Sequence, residues 1–130
     1  MLVTIGKEFH FEAAHHLPGH DGKCRQPHGH SYRVLVEVRG ELLNDETSPK
    51  DGMVLDFADL SIHFHNLIFS KVDHTDLNVS LHDIIPVMTA ECLAVWILHD
   101  LARSVDRESL QVKAVTVWET ASSFARAEYE

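Results

Sequence analysis

A cysteine at position 24, a gap of three residues, and then His28 and His30 on either side of one glycine make up the stretch CRQPHGHSY, residues 24–32. On an extended strand, side chains two apart leave the same face, so His28 and His30 can offer two imidazoles to one ion. A third imidazole from a neighbouring strand would complete a set that suits zinc and leaves a coordination position open. The same His-Gly-His also arises by chance, with one ring bonded inside a core and the other wet. A cupin-like centre starts from this pair too, but it needs a carboxylate close behind. The first glutamate after His30 is Glu37, on the opposite strand face. Cys24 has three readings: a fourth ligand that closes a structural site, a free thiol serving as base or nucleophile beside a metal, or an inert loop residue. Spacing does not choose among them.

The third imidazole has two candidates, the adjacent His15 and His16. Parity favours His15, which shares a face with Phe11 and Ala13, the apolar and therefore inward side of that strand. His10, His20, His63, His65, His82 and His99 have no partner at ligand spacing and read as solvated or helix-face residues. Asp73-His74 sets a carboxylate next to an imidazole, although sequence neighbours do not ordinarily meet through their side chains. Glu119 follows Trp118 at a strand end, where it is either a rim charge or a clamp for a planar heterocycle with two parallel donors. Cys92 falls inside a helical pattern and reads as a small buried residue.

The elements that must hold these residues show in the hydrophobic spacing. Phe9 to His15 alternates with period two, and so does His28 to Gly40, where His28, His30, Tyr32, Val34, Val36 and Val38 share one face. The two predict an antiparallel pair joined by the loop LPGHDGK. LLNDETSPKDGM is a polar turn. Asp56 is placed to cap a helix carrying Phe57, Leu60, Phe64, Leu67 and Ile68 and running to about Lys71; Thr89 is placed to cap a second, with Leu93, Trp96, Ile97 and Leu101 on one face. The connection between them, residues 72–88, is long for a compact domain, a length that often carries function. Leu110 to Glu119 alternates again, and SFARAEYE supplies a last short strand. The expected order is strand, strand, helix, helix, strand, strand.

Composition bounds the rest. A chain of 130 residues, 45% hydrophobic, fits one domain spanning residues 1–130. The net charge of −9 offers no basic stripe for a phosphate backbone, so nucleic acid is not an expected partner. No charged-then-apolar leader and no apolar run near the ~18 residues of a membrane span appear, which points to a soluble, cytoplasmic chain without a membrane partner. With two cysteines, a disulfide is the weaker reading.

FEAAHHL (11–17), CRQPHGHSY (24–32), GMVLDFADL (52–60), DHTDLN (73–78), TAE (89–91) and WET (118–120), in this order, resemble the 6-pyruvoyl-tetrahydropterin synthase family, most closely its bacterial 6-carboxy-tetrahydropterin synthase branch. The short gap between Cys24 and His28 is similar to that branch, whereas the animal pyruvoyl-forming enzymes carry a longer insertion. RQP in the gap and Met88 before Thr89 differ from its usual residues. The resemblance implies an α+β tunnelling fold, a four-stranded antiparallel sheet with two helices inserted between the second and third strands. It also implies a homohexamer built as two stacked trimers, with active sites between subunits. Carried over by position, the Zn2+ ligands are His15, His28 and His30. The catalytic residues are Cys24, the pair Asp73 and His74, and Glu119, which also anchors the pterin, with Thr89 beside it in the substrate site. Lys23 and Arg25 flank the cysteine and are expected to meet the triphosphate. The implied reaction turns 7,8-dihydroneopterin triphosphate into 6-carboxy-tetrahydropterin, acetaldehyde and triphosphate, on the route to queuosine and related deazapurines. The pyruvoyl-forming synthase, and a zinc- and pterin-binding protein without turnover, are the alternatives.

Overall fold

Strand β1 covers Leu2–His15 and β2 His28–Glu41, antiparallel over their whole length from Leu2 opposite Glu41 to His15 opposite His28. The computed structural model, which describes all 130 residues, thus starts the first strand at Leu2 rather than at the expected Phe9. The cause is tertiary: continuous pairing to β2 satisfies backbone groups where the alternation of Leu2 to Glu8 is less regular.

Asp56 caps helix α1 (Phe57–Phe64), its side chain accepting from the Ala58 N–H at 2.8 Å. The expected single helix to about Lys71 is interrupted by a π-helical turn, His65–Phe69, before it resumes as α2 (Ser70–Val72). Phe64, Ile68 and Val72 are all fully buried along this run.

Residues 72–88 are not an open loop. They contain β3 (Thr75–Asp76), parallel to β1 at Ala13 and Ala14, and α3 (Leu77–Ser80), capped by Asp76. Leu77, Leu81, Ile85 and Met88 bury this connection against the body of the protein. Helix α4 (Ala90–Val105) starts at Thr89, whose hydroxyl accepts from the Cys92 N–H at 3.1 Å. Strands β4 (Leu110–Trp118) and β5 (Phe124–Glu128) complete one sheet of order β3-β1-β2-β4-β5. The four antiparallel strands of the expected sheet are β1, β2, β4 and β5; the two-residue β3 adds a parallel fifth strand on the β1 edge.

Helices cover one face of the sheet. There Val34, Val36, Val38, Val115 and Val117 are fully buried with Leu93, Ile97 and Leu101 of α4. Phe9 stacks on Phe64 with ring centroids 3.9 Å apart, and Phe11 on Tyr32 at 4.8 Å. The other face is polar: Arg33 bonds Glu8 at 3.0 Å and lies 3.7 Å over the Trp118 ring, and Arg126 pairs with Glu37 at 3.0 Å. No helix is long and apolar enough to cross a membrane.

Candidate metal and ligand site

His15 lies directly opposite His28, and Ala13 opposite His30, so strand pairing alone puts three imidazoles side by side on the helix-facing side of the sheet. Their ligating nitrogens all lie within 4.8 Å of one another, and no other set of histidine, cysteine or carboxylate groups in the chain is gathered this closely. Each of two rings is oriented by a backbone carbonyl: His15 Nδ1 is 2.8 Å from the Met88 oxygen, and His28 Nδ1 is 2.8 Å from that of Gln26. A ring that donates through Nδ1 turns the Nε2 lone pair outward, which is how metal-bound histidines are commonly fixed.

His15 Nε2 and His30 Nε2 are buried without a hydrogen-bond partner. Orphaned buried nitrogens are costly, and an ion they share removes that cost. Burial, then the neighbouring His15, hold the His30 ring below its ordinary pKa of 6.5, against an opposing pull from Glu119 and with a smaller push from His28. A neutral imidazole is the form that binds metal. The donor set therefore fits a zinc ion.

His15, not His16, is the third member, as strand parity requires. The His16 backbone is instead clamped by Asn78, which accepts from its N–H at 2.9 Å and donates to its carbonyl at 3.0 Å. His10, His20, His63, His65, His82 and His99 lie outside the group. Cys24 sits in a short 3-10 turn, Lys23–Arg25, half-buried between the exposed Lys23 and Arg25. It too lies outside the metal group and forms no disulfide.

Glu119 follows the end of β4, its N–H donating to the Ser123 carbonyl at 3.1 Å where the chain turns toward β5. Glu119 lies near enough for its charge to act on both His30 and Tyr32. Burial first, and Glu119 second, push the Tyr32 phenol above its ordinary value. Thr89 uses its hydroxyl as the α4 cap and directly follows Met88, whose carbonyl orients His15.

Asp73 and His74 do meet, against the ordinary behaviour of sequence neighbours: Asp73 Oδ2 is 2.7 Å from His74 Nδ1. The backbone explains it. His74 has φ of 57°, a left-handed conformation unusual for a residue with a side chain, and one that clusters at functional sites. The turn is stapled to β1, the Glu12 N–H donating to Asp73 Oδ1 at 3.1 Å and the His74 N–H to the Glu12 carbonyl at 2.6 Å. The Glu12 N–H first, and the His74 ring second, hold the Asp73 carboxyl below its ordinary 3.8; the hydrogen bond that His74 donates to Asp73, then the Asp73 charge, raise His74 above 6.5. The His74 ring is 78% exposed and is not a member of the histidine cluster.

Residues 4–130 match the family model described as 6-pyruvoyl tetrahydropterin synthase. The chain belongs to this family. A 6-carboxy-5,6,7,8-tetrahydropterin synthase of Synechocystis sp. is 43% identical over 125 residues, covering 96% of this chain and 92% of the relative. One of Haemophilus influenzae is 34% identical over 141 residues, covering 95% and 96%. The structure of the Caenorhabditis elegans 6-pyruvoyl tetrahydropterin synthase aligns over 100% of this chain and 97% of its own, with a TM-score of 0.83 and 28% identity. The α+β tunnelling fold implied by the resemblance is thus the fold of this 6-pyruvoyl tetrahydropterin synthase family member.

The residues that spacing did not mark are the backbone carbonyls of Met88 and Gln26, which have no side-chain signature, and Glu12, which reads only as the polar side of a strand. Tyr32 did carry a signal, since its parity places it on the face of His28 and His30.

Proposed function

We propose that this chain is a zinc-dependent lyase that converts 7,8-dihydroneopterin triphosphate to 6-carboxy-5,6,7,8-tetrahydropterin, acetaldehyde and triphosphate, in the cytoplasm and as a step toward queuosine and related deazapurines. The observation that carries this reading is the cluster of His15, His28 and His30, with two buried nitrogens that have no partner in the chain. The named activity of two relatives that match nearly the whole chain supports it. The span 1–130 works as one domain in this reading.

A bound zinc with an open position supplies a Lewis acid for the oxygens of the substrate side chain. The protein residues do the rest. Glu119 accepts from the paired N–H donors of the pterin ring and sets its orientation. Cys24, as thiolate, removes the proton from carbon next to a hydroxyl-bearing centre. His74, held in register by Asp73, returns or relays protons, the bond at Nδ1 leaving Nε2 for the exchange. Lys23 and Arg25, exposed on either side of the thiol, meet the triphosphate. Thr89 lines the substrate site. The complete site is assembled between subunits of the homohexamer, with the exposed His74 ring available to a neighbouring subunit.

Incubating the zinc-loaded protein with 7,8-dihydroneopterin triphosphate and identifying products by mass spectrometry tests the reading; 6-carboxy-tetrahydropterin with acetaldehyde is expected. The second reading, a pyruvoyl-forming synthase, is favoured by the Caenorhabditis elegans structure, and a pyruvoyl product would establish it. Binding of the substrate without turnover would establish the non-catalytic alternative.

A further inference from the structure

Tyr32 is fully buried, and its hydroxyl has no hydrogen-bond partner anywhere in the chain. The ring is well placed: it stacks on Phe11 at 4.8 Å, and the edges of His30 and His15 approach it at 5.5 and 6.0 Å. Packing therefore accounts for the ring and leaves the oxygen unexplained, and a phenylalanine would make the same stack. A buried hydroxyl without a partner lowers stability, so its presence needs a reason.

The strand register supplies one. Val34 lies opposite Val117 and Arg33 opposite Trp118, where β4 ends, and extending that register by one residue sets Tyr32 against Glu119. Directly opposed side chains of an antiparallel pair have Cβ atoms about 4.5–5.5 Å apart, within reach of a phenol and a carboxylate. Trp118 cannot drift, because the Arg33 guanidinium lies 3.7 Å over its ring and Glu8 holds that guanidinium at 3.0 Å. A phenol is a donor at neutral pH and a carboxylate is acceptor only.

We propose that Tyr32 is a positioning residue for the ring-binding carboxylate: its hydroxyl donates to one lone pair of Glu119 when a pterin is bound, leaving both oxygens aimed at the paired N–H donors of the ring. This rests on the reading of Glu119 as pterin anchor, and it adds a residue to that site. Within the chain the hydroxyl has no partner; in the pterin complex the carboxylate takes that place.

Substituting Tyr32→Phe in the zinc-loaded protein separates this role from a structural one, because the two move in opposite directions. The ligand-free variant keeps its zinc content and melts at or above the wild-type temperature, since an unpartnered polar group is gone. Its affinity for neopterin, followed by pterin fluorescence, falls by about ten-fold or more, the size expected for one hydrogen bond to a charged acceptor. In a Glu119→Gln background the same substitution has a much smaller effect, because the two side chains act as one unit. Wild-type affinity in Tyr32→Phe overturns the proposal and leaves the pterin reading standing. So does an equal loss in both backgrounds, or a variant that loses zinc or melts lower. If the wild-type protein itself binds no neopterin, the pterin reading falls and the role of Tyr32 falls with it.

Discussion

Cys24 and His74 divide the proposed proton traffic, and their surroundings make different demands on each. Cys24 is held by its backbone, its carbonyl accepting from the Leu17 N–H at 2.7 Å, so the thiol is spare in the structural sense. Cys24→Ala is therefore expected to keep zinc and pterin binding and to lose kcat by about 10²–10⁴, the range for a missing general base. Metal analysis with steady-state kinetics checks this, and zinc release by the variant would point to a ligand instead. For His74, the raised pKa and the lowered one of Asp73 have opposite signs in pH. The His74 contribution to folding is complete below 6.5 and is lost as pH rises through its raised value. That of Asp73 is complete above 3.8 and is lost as pH falls through its lowered value. The ion pair is thus intact between those limits. In Asp73→Asn the His74 titration, followed by NMR of the imidazole protons, moves down toward 6.5; an unmoved titration would show that the contact does not hold the proton.

At the scale of elements, the start of α4 ties folding to the metal candidate. Thr89 caps the helix through the Cys92 N–H, and the preceding Met88 carbonyl orients His15. Thr89→Ala is expected to destabilise the protein by about 1 kcal/mol as a lost cap, and also to weaken zinc binding, because the Met88 carbonyl loses its fixed place. Thr89→Ser keeps the cap oxygen and restores both. Denaturant midpoints beside competitive zinc titration read the two effects together. The π-turn before α2 belongs to the same scale: it keeps Phe64, Ile68 and Val72 inward, and Phe64 closes the stack on Phe9.

At the scale of the whole molecule, the sheet ends in two edges. Beyond the two-residue β3 at Ala13 and Ala14, β1 from Leu2 to Glu12 pairs only with β2, and β5 forms the opposite edge. Unpaired edges of this length invite pairing with another copy, which is how barrels close. Sedimentation at micromolar concentration is expected to show a hexamer. A stable monomer would contradict this and would remove the proposed intersubunit site.

Much of the site was legible because strands impose parity. The face shared by His28, His30 and Tyr32, and the choice of His15 over His16, follow from a period of two that no tertiary detail alters. The helix caps Asp56 and Thr89 were equally local, since a side chain that bonds an N–H two or three residues on needs no distant partner. The start of β1 at Leu2 and the structure within residues 72–88 were set by pairing across the sheet, which local pattern does not encode. The contact of Asp73 with His74 came from the left-handed turn that Glu12 pins to β1, a bond between residues 61 apart. The carbonyls of Met88 and Gln26 have the same backbone oxygen as every other residue. Only folding decides which oxygen meets which ring, because that depends on where the chain runs and not on the side chain it carries there.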